Sequence, residues 1–233
     1  MKVTALIPSA GIGKRMGTER PKQFLTINGL PMLVYTLKVF DVLPEVDEII
    51  LIVHKGDEGY CEKIIEGCKL KKVLKIVFGG KTRQESVYNG LKEVSDETGI
   101  VVIHDAVRPF VTPEIIRKSI KTARYSDGAV AAIPVRDTMK YAGDKGIIER
   151  TVSRSNLWLA QTPQTFRLEI IKEAYHRAYL DNFSATDDSS LVERIGYKVK
   201  VIEGSYSNIK ITTPEDIILA QRMLDKVSPV LAL

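Results

Sequence analysis

Glycine and basic residues are concentrated in one short segment that follows the first apolar run of the chain. The run Val3–Ile7 has the composition of a buried strand, and the next ten residues, 8–17, contain three glycines. Glycine lets the backbone turn sharply and brings amide N–H groups close to a ligand. Lys14, Arg15 and Lys22 add positive charge beside this turn. The pattern predicts a loop that binds the phosphates of a nucleoside triphosphate.

Two common glycine motifs do not fit this loop. A dinucleotide fingerprint that starts at Gly11 and Gly13 needs a third glycine where the chain has Met16. A P-loop that ends at Gly80-Lys81-Thr82 needs its first glycine at the position of Lys75. A tight turn without any ligand is the simplest alternative, and two glycines alone would favour it. The clustered cations favour the ligand, because like charges repel each other unless an anion joins them.

Polar and charged residues also follow the other predicted strands. In doubly wound sheets, ligands bind outside the carboxyl ends of the strands. The segments that we expect there are Gly79–Ser86, His104–Pro109 and Val135–Thr138. Further polar segments fall at later element boundaries: Gln161–Gln164, Ala185–Asp188 and Asn208–Lys210. These segments are therefore candidates for one shared site at the carboxyl edge of a sheet.

Asp105 directly follows a predicted buried strand and has two interpretations. It can be the salt-bridge partner of Arg15, Lys22 or Arg108, or it can be a ligand of Mg²⁺. Mg²⁺ prefers one or two carboxylates together with phosphate oxygens. The metal interpretation is the better one if the glycine-rich loop holds a triphosphate. We expect the neighbouring His104 to be packed and hydrogen-bonded rather than catalytic.

Seven strand-like runs alternate with seven helix-like runs along the chain, which predicts an α/β fold with a mainly parallel sheet covered on both faces. One of these runs, Trp158–Gln161, is predicted as a short strand. Residues Asp137–Arg154 interrupt the alternation with two β-prone stretches around Gly143–Gly146, which predicts a hairpin. The hairpin has too few apolar residues for its own core. It is either a plain surface hairpin or an arm that packs on a second copy of the chain.

Composition narrows the classes of protein further. The chain has 233 residues, which is enough for one large domain over residues 1–233 with the arm at about 137–154. Its formal charge of +5 comes without a long basic run, so we expect no nucleic-acid partner. No apolar run approaches membrane-spanning length, so we expect no membrane partner. Two cysteines, Cys61 and Cys68, are too far apart on one predicted helix for a disulfide, which suggests reduced thiols in a cytoplasmic protein.

Taken together, these motifs resemble those of the 2-C-methyl-D-erythritol 4-phosphate cytidylyltransferases of the non-mevalonate isoprenoid pathway. The segments that carry the resemblance are Pro8–Met16, Pro21–Gln23, Gly79–Val87, His104–Pro109, Pro134–Lys140, Gln161–Gln164, Thr186–Asp188 and Asn208–Asp216. The resemblance implies a three-layer α/β/α, Rossmann-like nucleotidyltransferase fold with a protruding β-arm. It also implies a homodimer joined through that arm. The implied reaction converts CTP and methylerythritol phosphate into CDP-methylerythritol and pyrophosphate, with Mg²⁺.

The same resemblance implies a role for each matching residue. The catalytic residues would be Arg15, Lys22, Lys210 and Arg154. The residues that bind CTP would be Ser9, Ala10, Gly11, Gly13, Gly80, Arg83, Ser86, Asp105 and Ala106, with Asp105 also the ligand of Mg²⁺. The residues that bind methylerythritol phosphate would be Arg108, Thr138, Arg154, Thr162, Thr186, Asp187 and Lys210. Among these, Arg154 would come from the partner subunit, and Asp187 would orient the pocket.

The chain departs from the commonest family pattern at two positions. Ser9 stands where alanine is usual, so its hydroxyl could add a contact to the nucleotide, and Lys81 stands where an acid is frequent. The nearest alternative function is a cytidylyltransferase that acts on ribitol 5-phosphate. A more distant alternative is a nucleotide-binding or RNA-binding regulator without catalysis, which we would expect to lack Lys22 or Asp105.

The implied chemistry is direct in-line attack of the sugar phosphate on the α-phosphorus of CTP. A phosphate monoester has its second pKa near ~6, so it is already ionised at neutral pH and needs no general base. Catalysis would then depend on positioning and on neutralising the charge of two polyanions. Arg15, Lys22 and Mg²⁺ are the groups that we expect to supply that neutralisation.

Overall fold

A computed structural model describes residues 1–11 and 21–226 of the chain. The strands of its central sheet are β1 (Lys2–Ser9), β4 (Glu48–Val53), β5 (Val73–Phe78), β6 (Thr98–Ile103), β7 (Gly128–Pro134), β10 (Trp158–Arg167) and β11 (Val199–Glu203). Two further pairs are β2 (Thr26–Ile27) with β3 (Leu30–Pro31), and β8 (Met139–Ala142) with β9 (Ile148–Val152). The α-helices of the described residues are α1 (Met32–Asp41), α2 (Glu58–Gly67), α3 (Arg83–Lys92), α4 (Pro113–Arg124), α5 (Leu168–Leu180), α6 (Asp188–Arg194) and α7 (Pro214–Lys226).

The central sheet has seven strands in the order β11-β7-β10-β6-β1-β4-β5. The pairs β1–β4, β1–β6, β4–β5 and β7–β11 are parallel, whereas β10 runs antiparallel to both β6 and β7. The predicted α/β fold with a mainly parallel sheet is therefore confirmed. Because most strands are parallel, their carboxyl ends meet at one edge of the sheet.

Helices cover both faces of the sheet, as the alternation of side chains along β1 shows. Val3, Ala5 and Ile7 point into one apolar cluster that also contains residues of α1 and α4. Leu6 points to the opposite face, into a second cluster with residues of α3 and α5. Successive side chains of a strand point to opposite faces, so an all-apolar strand is the expected sequence for the middle of a three-layer fold.

The strand β10 is longer than its prediction. It continues past Gln161 to Arg167, and its register against β7 shifts between Ala160 and Gln164. Pro163 lies within this irregularity, where a ladder hydrogen bond is not required of it. The prediction was wrong because polar residues and a proline usually end a strand. Here the polar side chains are buried, with Gln161 and Gln164 at 6% and 2% exposure.

The predicted hairpin is present as β8 and β9, which pair antiparallel. Its turn is closed by the Gly143 amide, which donates to the carbonyl of Ile147 at 3.1 Å. The apolar side chains of the hairpin, those of Met139, Tyr141, Ile147 and Ile148, are exposed. We call the segment 137–154 the β-arm. None of the helices in the described part of the chain is long and apolar enough to cross a membrane.

Candidate active site

A cleft of about 970 Å³ opens at the carboxyl ends of β1, β4, β5 and β6. Its lining comes from the segments that follow these strands, from the short 3₁₀ helix at Lys22–Phe24 and from the segment around Lys210. The cleft therefore lies at the edge of the sheet where the sequence predicted the site. Sequence reasoning missed His54 and Lys55, which follow β4 and also line the cleft. Their position after a strand was the signal that could have found them.

Most of the predicted CTP-binding residues lie together in this cleft. Those that line it are Ser9, Ala10, Gly11, Gly80, Arg83, Ser86, Asp105 and Ala106, together with the predicted catalytic residues Lys22 and Lys210. Gly13 and Arg15 lie outside the described residues. The Ser9 side chain is buried, and its hydroxyl has no hydrogen-bond partner among the described residues.

The carboxylate of Asp105 is the centre of a cluster of cations in the cleft. Its Oδ1 accepts a hydrogen bond from Arg83 Nε at 3.0 Å. Its Oδ2 lies 2.9 Å from Lys210 Nζ and 3.4 Å from Arg108 Nε. Burial alone would raise the pKa of Asp105, but the charges of Arg83, Lys210 and Arg108 outweigh burial and hold the pKa well below its usual value. Of these partners only Arg108 was expected from the sequence.

Arg83 also pairs with a carboxylate that sequence reasoning missed. Its Nη1 and Nη2 donate to Oδ1 and Oδ2 of Asp188 at 2.9 and 2.8 Å, a bidentate pair. Asp188 is fully buried at the start of α6, and its Oδ1 also accepts the hydroxyl of Tyr175. Burial by itself lowers the pKa of Arg83, but Asp188 and Asp105 raise it well above its usual value. Asp188 followed the predicted site residue Asp187, which was the only hint in the sequence.

The turn before α3 is held by its own side chains. The Ser86 hydroxyl donates to the carbonyl of Thr82 at 2.8 Å and accepts the amide of Gly80 at 3.1 Å. Glu85 Oε2 accepts the amide of Lys81 at 2.7 Å, and the Thr82 hydroxyl accepts the amide of Glu85 at 3.0 Å. The Ser86 proton is therefore engaged within the turn. In this geometry the Ser86 hydroxyl has one acceptor position left for a further hydrogen bond.

Close packing explains the two glycines of this turn. A Cβ on Gly79 would lie 2.3 Å from the Cβ of Ala10, and a Cβ on Gly80 would lie 2.4 Å from the Cβ of Glu85. Neither distance is possible for a side chain, so both positions need glycine. The turn thereby packs directly against the end of β1, which brings the two predicted halves of the CTP site together.

Two residues that were predicted to bind the acceptor, Arg108 and Thr162, contact Asp105 directly. Arg108 Nη1 donates to the carbonyl of Asn208 at 2.7 Å, and burial lowers the pKa of this guanidinium. The Thr162 hydroxyl accepts the amide of Asp105 at 3.1 Å. Asn208 Nδ2 in turn donates to the carbonyl of Thr162 at 2.8 Å. The irregular stretch of β10 thus reaches the end of β6 and fixes its backbone.

Thr186 and Asp187 lie beside the cleft, around a small cavity of about 20 Å³ that they share with Arg83. Asp187 caps α6, because its Oδ1 accepts the amide of Ser190 at 3.1 Å. Its Oδ2 accepts Gln164 Nε2 at 2.8 Å. Burial raises the pKa of Asp187, and these hydrogen bonds lower it to a net value below the usual one. The contacts fasten α6 to β10, which agrees with an orienting role.

Thr138 and Arg154 are predicted site residues that contact neither the cleft nor the Asp105 cluster in the described part of the chain. Both are exposed and belong to the β-arm. Neither lines the cleft described above.

His104 is packed and hydrogen-bonded, as the sequence predicted. It is fully buried, its Nδ1 lies 3.0 Å from the Thr162 hydroxyl, and its Nε2 lies 3.2 Å from the carbonyl of Arg108. Burial, which disfavours the imidazolium, lowers the pKa of His104 to about 4. With both nitrogens engaged and no exposed edge, it is a structural residue of the site.

The fold and the cleft define a Rossmann-like α/β protein with a cationic site at the carboxyl edge of its sheet, the usual place for a nucleotide. Residues 3–226 match the family model of 2-C-methyl-D-erythritol 4-phosphate cytidylyltransferase (IspD). The chain therefore belongs to that family, as its motifs predicted.

Individual proteins agree with the family match. The chain is 48% identical over 231 residues to a 2-C-methyl-D-erythritol 4-phosphate cytidylyltransferase of Geotalea uraniireducens, covering 98% of this chain and 99% of that protein. It resembles the crystal structure of 4-diphosphocytidyl-2C-methyl-D-erythritol synthase from Anaerococcus prevotii, with a TM-score of 0.86 and 36% identity over 97% of this chain and 96% of that one. It also resembles the Thermus thermophilus cytidylyltransferase, with a TM-score of 0.81 and 32% identity over 97% and 100% of the two chains.

The lowered pKa of His104 predicts a specific loss of stability in acid. The unfolded chain binds a proton near pH 6.5, whereas the native state resists protonation down to about pH 4. The free energy of unfolding should therefore fall by about 3 kcal/mol as pH drops through that window. Urea unfolding of the parent and of His104→Gln, measured across it, should show a shallower fall in the variant. His176→Gln, which replaces an exposed histidine on α5, is the control, and equal slopes in all three proteins would contradict the prediction.

Proposed function

We propose that this protein transfers the cytidylyl group of CTP to 2-C-methyl-D-erythritol 4-phosphate, giving CDP-methylerythritol and pyrophosphate. The family match over residues 3–226 supports the substrates. The observation that carries the proposal is the placing of Arg108 and Lys210 on one carboxylate, Asp105, beside the turn 79–86. This arrangement offers cations for a second phosphate next to the site for a nucleotide.

The reaction is a direct displacement at the α-phosphorus of CTP. An oxygen of the sugar phosphate forms the new bond to this phosphorus, and the bond to the oxygen bridging to the β-phosphorus breaks. Pyrophosphate leaves with the electron pair, and no proton has to be removed because the attacking phosphate is already ionised. The buried state of His104 is consistent with a mechanism that uses no general base.

Charge neutralisation is the task of the side chains in the cleft. Lys22, together with Arg15, would hold the triphosphate and stabilise the crowded transition state, in which negative charge is concentrated. Lys210 and Arg108 would hold the acceptor phosphate, with Thr162 and Thr186 beside it. Lys210 is partly exposed and paired with Asp105, so it can turn from that carboxylate to an incoming phosphate without crossing the protein.

Mg²⁺ would find one predicted protein ligand in the cleft, the carboxylate of Asp105. Among the described residues no group of three or more His, Cys, Asp or Glu side chains could hold a metal. Asp105 would supply one ligand and phosphate oxygens the others, which suits Mg²⁺. Arg83 contacts Oδ1, and Lys210 and Arg108 contact Oδ2, so the ion would have to share the carboxylate with these cations or displace one of them. The bound ion would add positive charge against the triphosphate.

We further propose a cytoplasmic homodimer in which the β-arm of one subunit completes the cleft of the other. The exposed apolar side chains of the arm support this role, as does the exposed position of Trp158 at its base. Thr138 and Arg154 would then both serve the partner's acceptor site. Each subunit would be one domain over residues 1–233 that carries the arm. The free thiols of Cys61 and Cys68 fit a reducing compartment.

The first test measures pyrophosphate release from CTP and Mg²⁺ with two acceptors in parallel. We expect release with methylerythritol phosphate and none with ribitol 5-phosphate. Release with ribitol 5-phosphate alone would keep the nucleotide half of the proposal and overturn the acceptor. If the folded protein releases no pyrophosphate with either acceptor, the enzymatic function is overturned. The alternative of a non-catalytic regulator would then have to be considered again.

Removing the ammonium group of Lys210 should weaken acceptor binding selectively. Lys210→Ala should raise KM for methylerythritol phosphate about tenfold or more, because a charge-assisted contact to phosphate is lost. KM for CTP should stay close to that of the parent. Lys172→Ala, which removes an exposed lysine paired with Asp96 at 2.9 Å, is the matched control. An equal rise in both KM values would contradict the division into two subsites.

Mixing two defective variants tests the shared site. Lys22→Ala should lower kcat in its own cleft, and Arg154→Ala should impair the cleft of its partner. In a heterodimer of the two, one cleft has Lys22 and also receives an intact Arg154, so activity should recover to a fraction of the parent value. Each variant mixed with itself is the control. Confirmed heterodimers without recovered activity would show that the arm does not complete the partner's site.

A further inference from the structure

The mechanism above makes no use of Asp188, although this carboxylate is fully buried next to the cleft. Both of its oxygens accept hydrogen bonds from Arg83, and Oδ1 also accepts the hydroxyl of Tyr175. Burying a carboxylate is costly unless it is paired and hydrogen-bonded, and here all of its partners are in place. The pair joins the first residue of α6 to the first residue of α3, which are distant in the chain.

The guanidinium of Arg83 is planar, so fixing two of its nitrogens fixes the third. With Nη1 and Nη2 bound to Asp188, Nε points at Asp105 Oδ1 at a distance of 3.0 Å. This contact sets the orientation of the Asp105 carboxylate about its own axis. The second oxygen, Oδ2, then faces Lys210 and Arg108.

We propose that Asp188 is a positioning residue for the transfer reaction, which holds Arg83 so that Asp105 presents Oδ2 to the acceptor-side cations Lys210 and Arg108. The inference rests on the proposed function, because it gives Lys210 and Arg108 the task of holding the acceptor phosphate. Without the charge of Asp188, Arg83 has Asp105 as its one carboxylate partner among the described residues. It would pull that carboxylate toward itself and change how Lys210 is held.

A separate contact supports the same connection between the two halves of the cleft. Gln84, the next residue of α3, donates from Nε2 to the carbonyl of Phe183 at 2.9 Å. Its Oε1 accepts the amide of Ala185 at 2.9 Å. Arg83 and Gln84 therefore form hydrogen bonds with residues before and after Thr186. Arg83 and Gln84 begin α3 directly after the loop that is proposed to bind the nucleotide. They therefore link this loop to Asp105 and to the segment that carries Thr186.

The main test combines Asp188→Asn with Lys210→Ala. Asp188→Asn keeps the shape and removes the charge, and we expect kcat/KM for methylerythritol phosphate to fall about tenfold or more. Asp188→Glu, which restores the charge, should recover part of that loss. Asp181→Asn is the matched control, because it breaks an exposed pair with Arg194 at 2.7 Å far from the Asp105 cluster.

The double variant separates positioning from plain stabilisation. If Asp188 acts through Asp105 on Lys210, Asp188→Asn should lower kcat/KM for methylerythritol phosphate much less in the Lys210→Ala background than in the parent. The effects of substitutions within one network are not additive. Fully additive losses, in proteins that melt cooperatively, would overturn the inference. A parent enzyme that is inactive with methylerythritol phosphate would instead overturn the proposed function, so the two failures are distinguishable.

A milder variant keeps the test available if Asp188→Asn does not fold. Tyr175→Phe removes one hydrogen bond from Asp188 and leaves the bidentate pair with Arg83. We expect KM for methylerythritol phosphate to rise about two- to fivefold. Tyr197→Phe, which removes an exposed hydrogen bond to Glu173 at 3.3 Å, is the control. A Tyr175→Phe enzyme with the same KM as the Tyr197→Phe enzyme would overturn the inference.

Discussion

The structure of the cleft depends on one electrostatic constraint: several cationic side chains must be held close together although like charges repel each other. The carboxylate of Asp105 meets this constraint by pairing with Arg83, Arg108 and Lys210 at once. Buried charges are tolerated when they are paired, so the cluster can be assembled as the chain folds. In the proposed function, a polyanionic substrate would replace Asp105 as a partner of these cations and would not have to order three separate side chains.

The surrounding architecture serves this cluster. Asp105 stands at the end of β6, where Thr162 of β10 accepts its backbone amide. Helix α3 supplies Arg83, and the segment after β11 supplies Lys210. Because these contributors come from separate parts of the sequence, the cluster exists only in the folded protein. Its cost in desolvation is offset by hydrogen bonds on each carboxylate oxygen.

Much of the fold could be predicted from the sequence, because apolar periodicity and helix caps are local signals. The hairpin within Asp137–Arg154 was predicted from two β-prone stretches around Gly143–Gly146, and it is present as β8 and β9. The length of β10 could not be predicted, since Pro163 and its polar neighbours have the composition of a loop. The polar side chains of Gln161 and Gln164 can be buried in a strand because each of them is hydrogen-bonded to residues from distant parts of the chain.

The sequence could place candidate residues at the cleft only where their position follows directly from a strand. Residues that directly follow strands could be predicted to lie close together, because the carboxyl ends of parallel strands meet at one edge of the sheet. The pairing of Asp188 with Arg83 could not be predicted, because it depends on how the start of α6 lies beside the start of α3. The sequence also could not predict which group accepts the hydroxyl proton of Ser86. That group is the Thr82 carbonyl.

The turn before α3 has a consequence for the evolution of the family. Its backbone amides at Gly80 and Lys81 are satisfied by Ser86 and Glu85, and the Lys81 side chain takes no part in holding the turn. The identity of residue 81 is therefore decoupled from the shape of the loop that carries it. Selection can exchange a lysine for an acid there, and so adjust the charge at the edge of the cleft, without changing the hydrogen bonds that hold the turn.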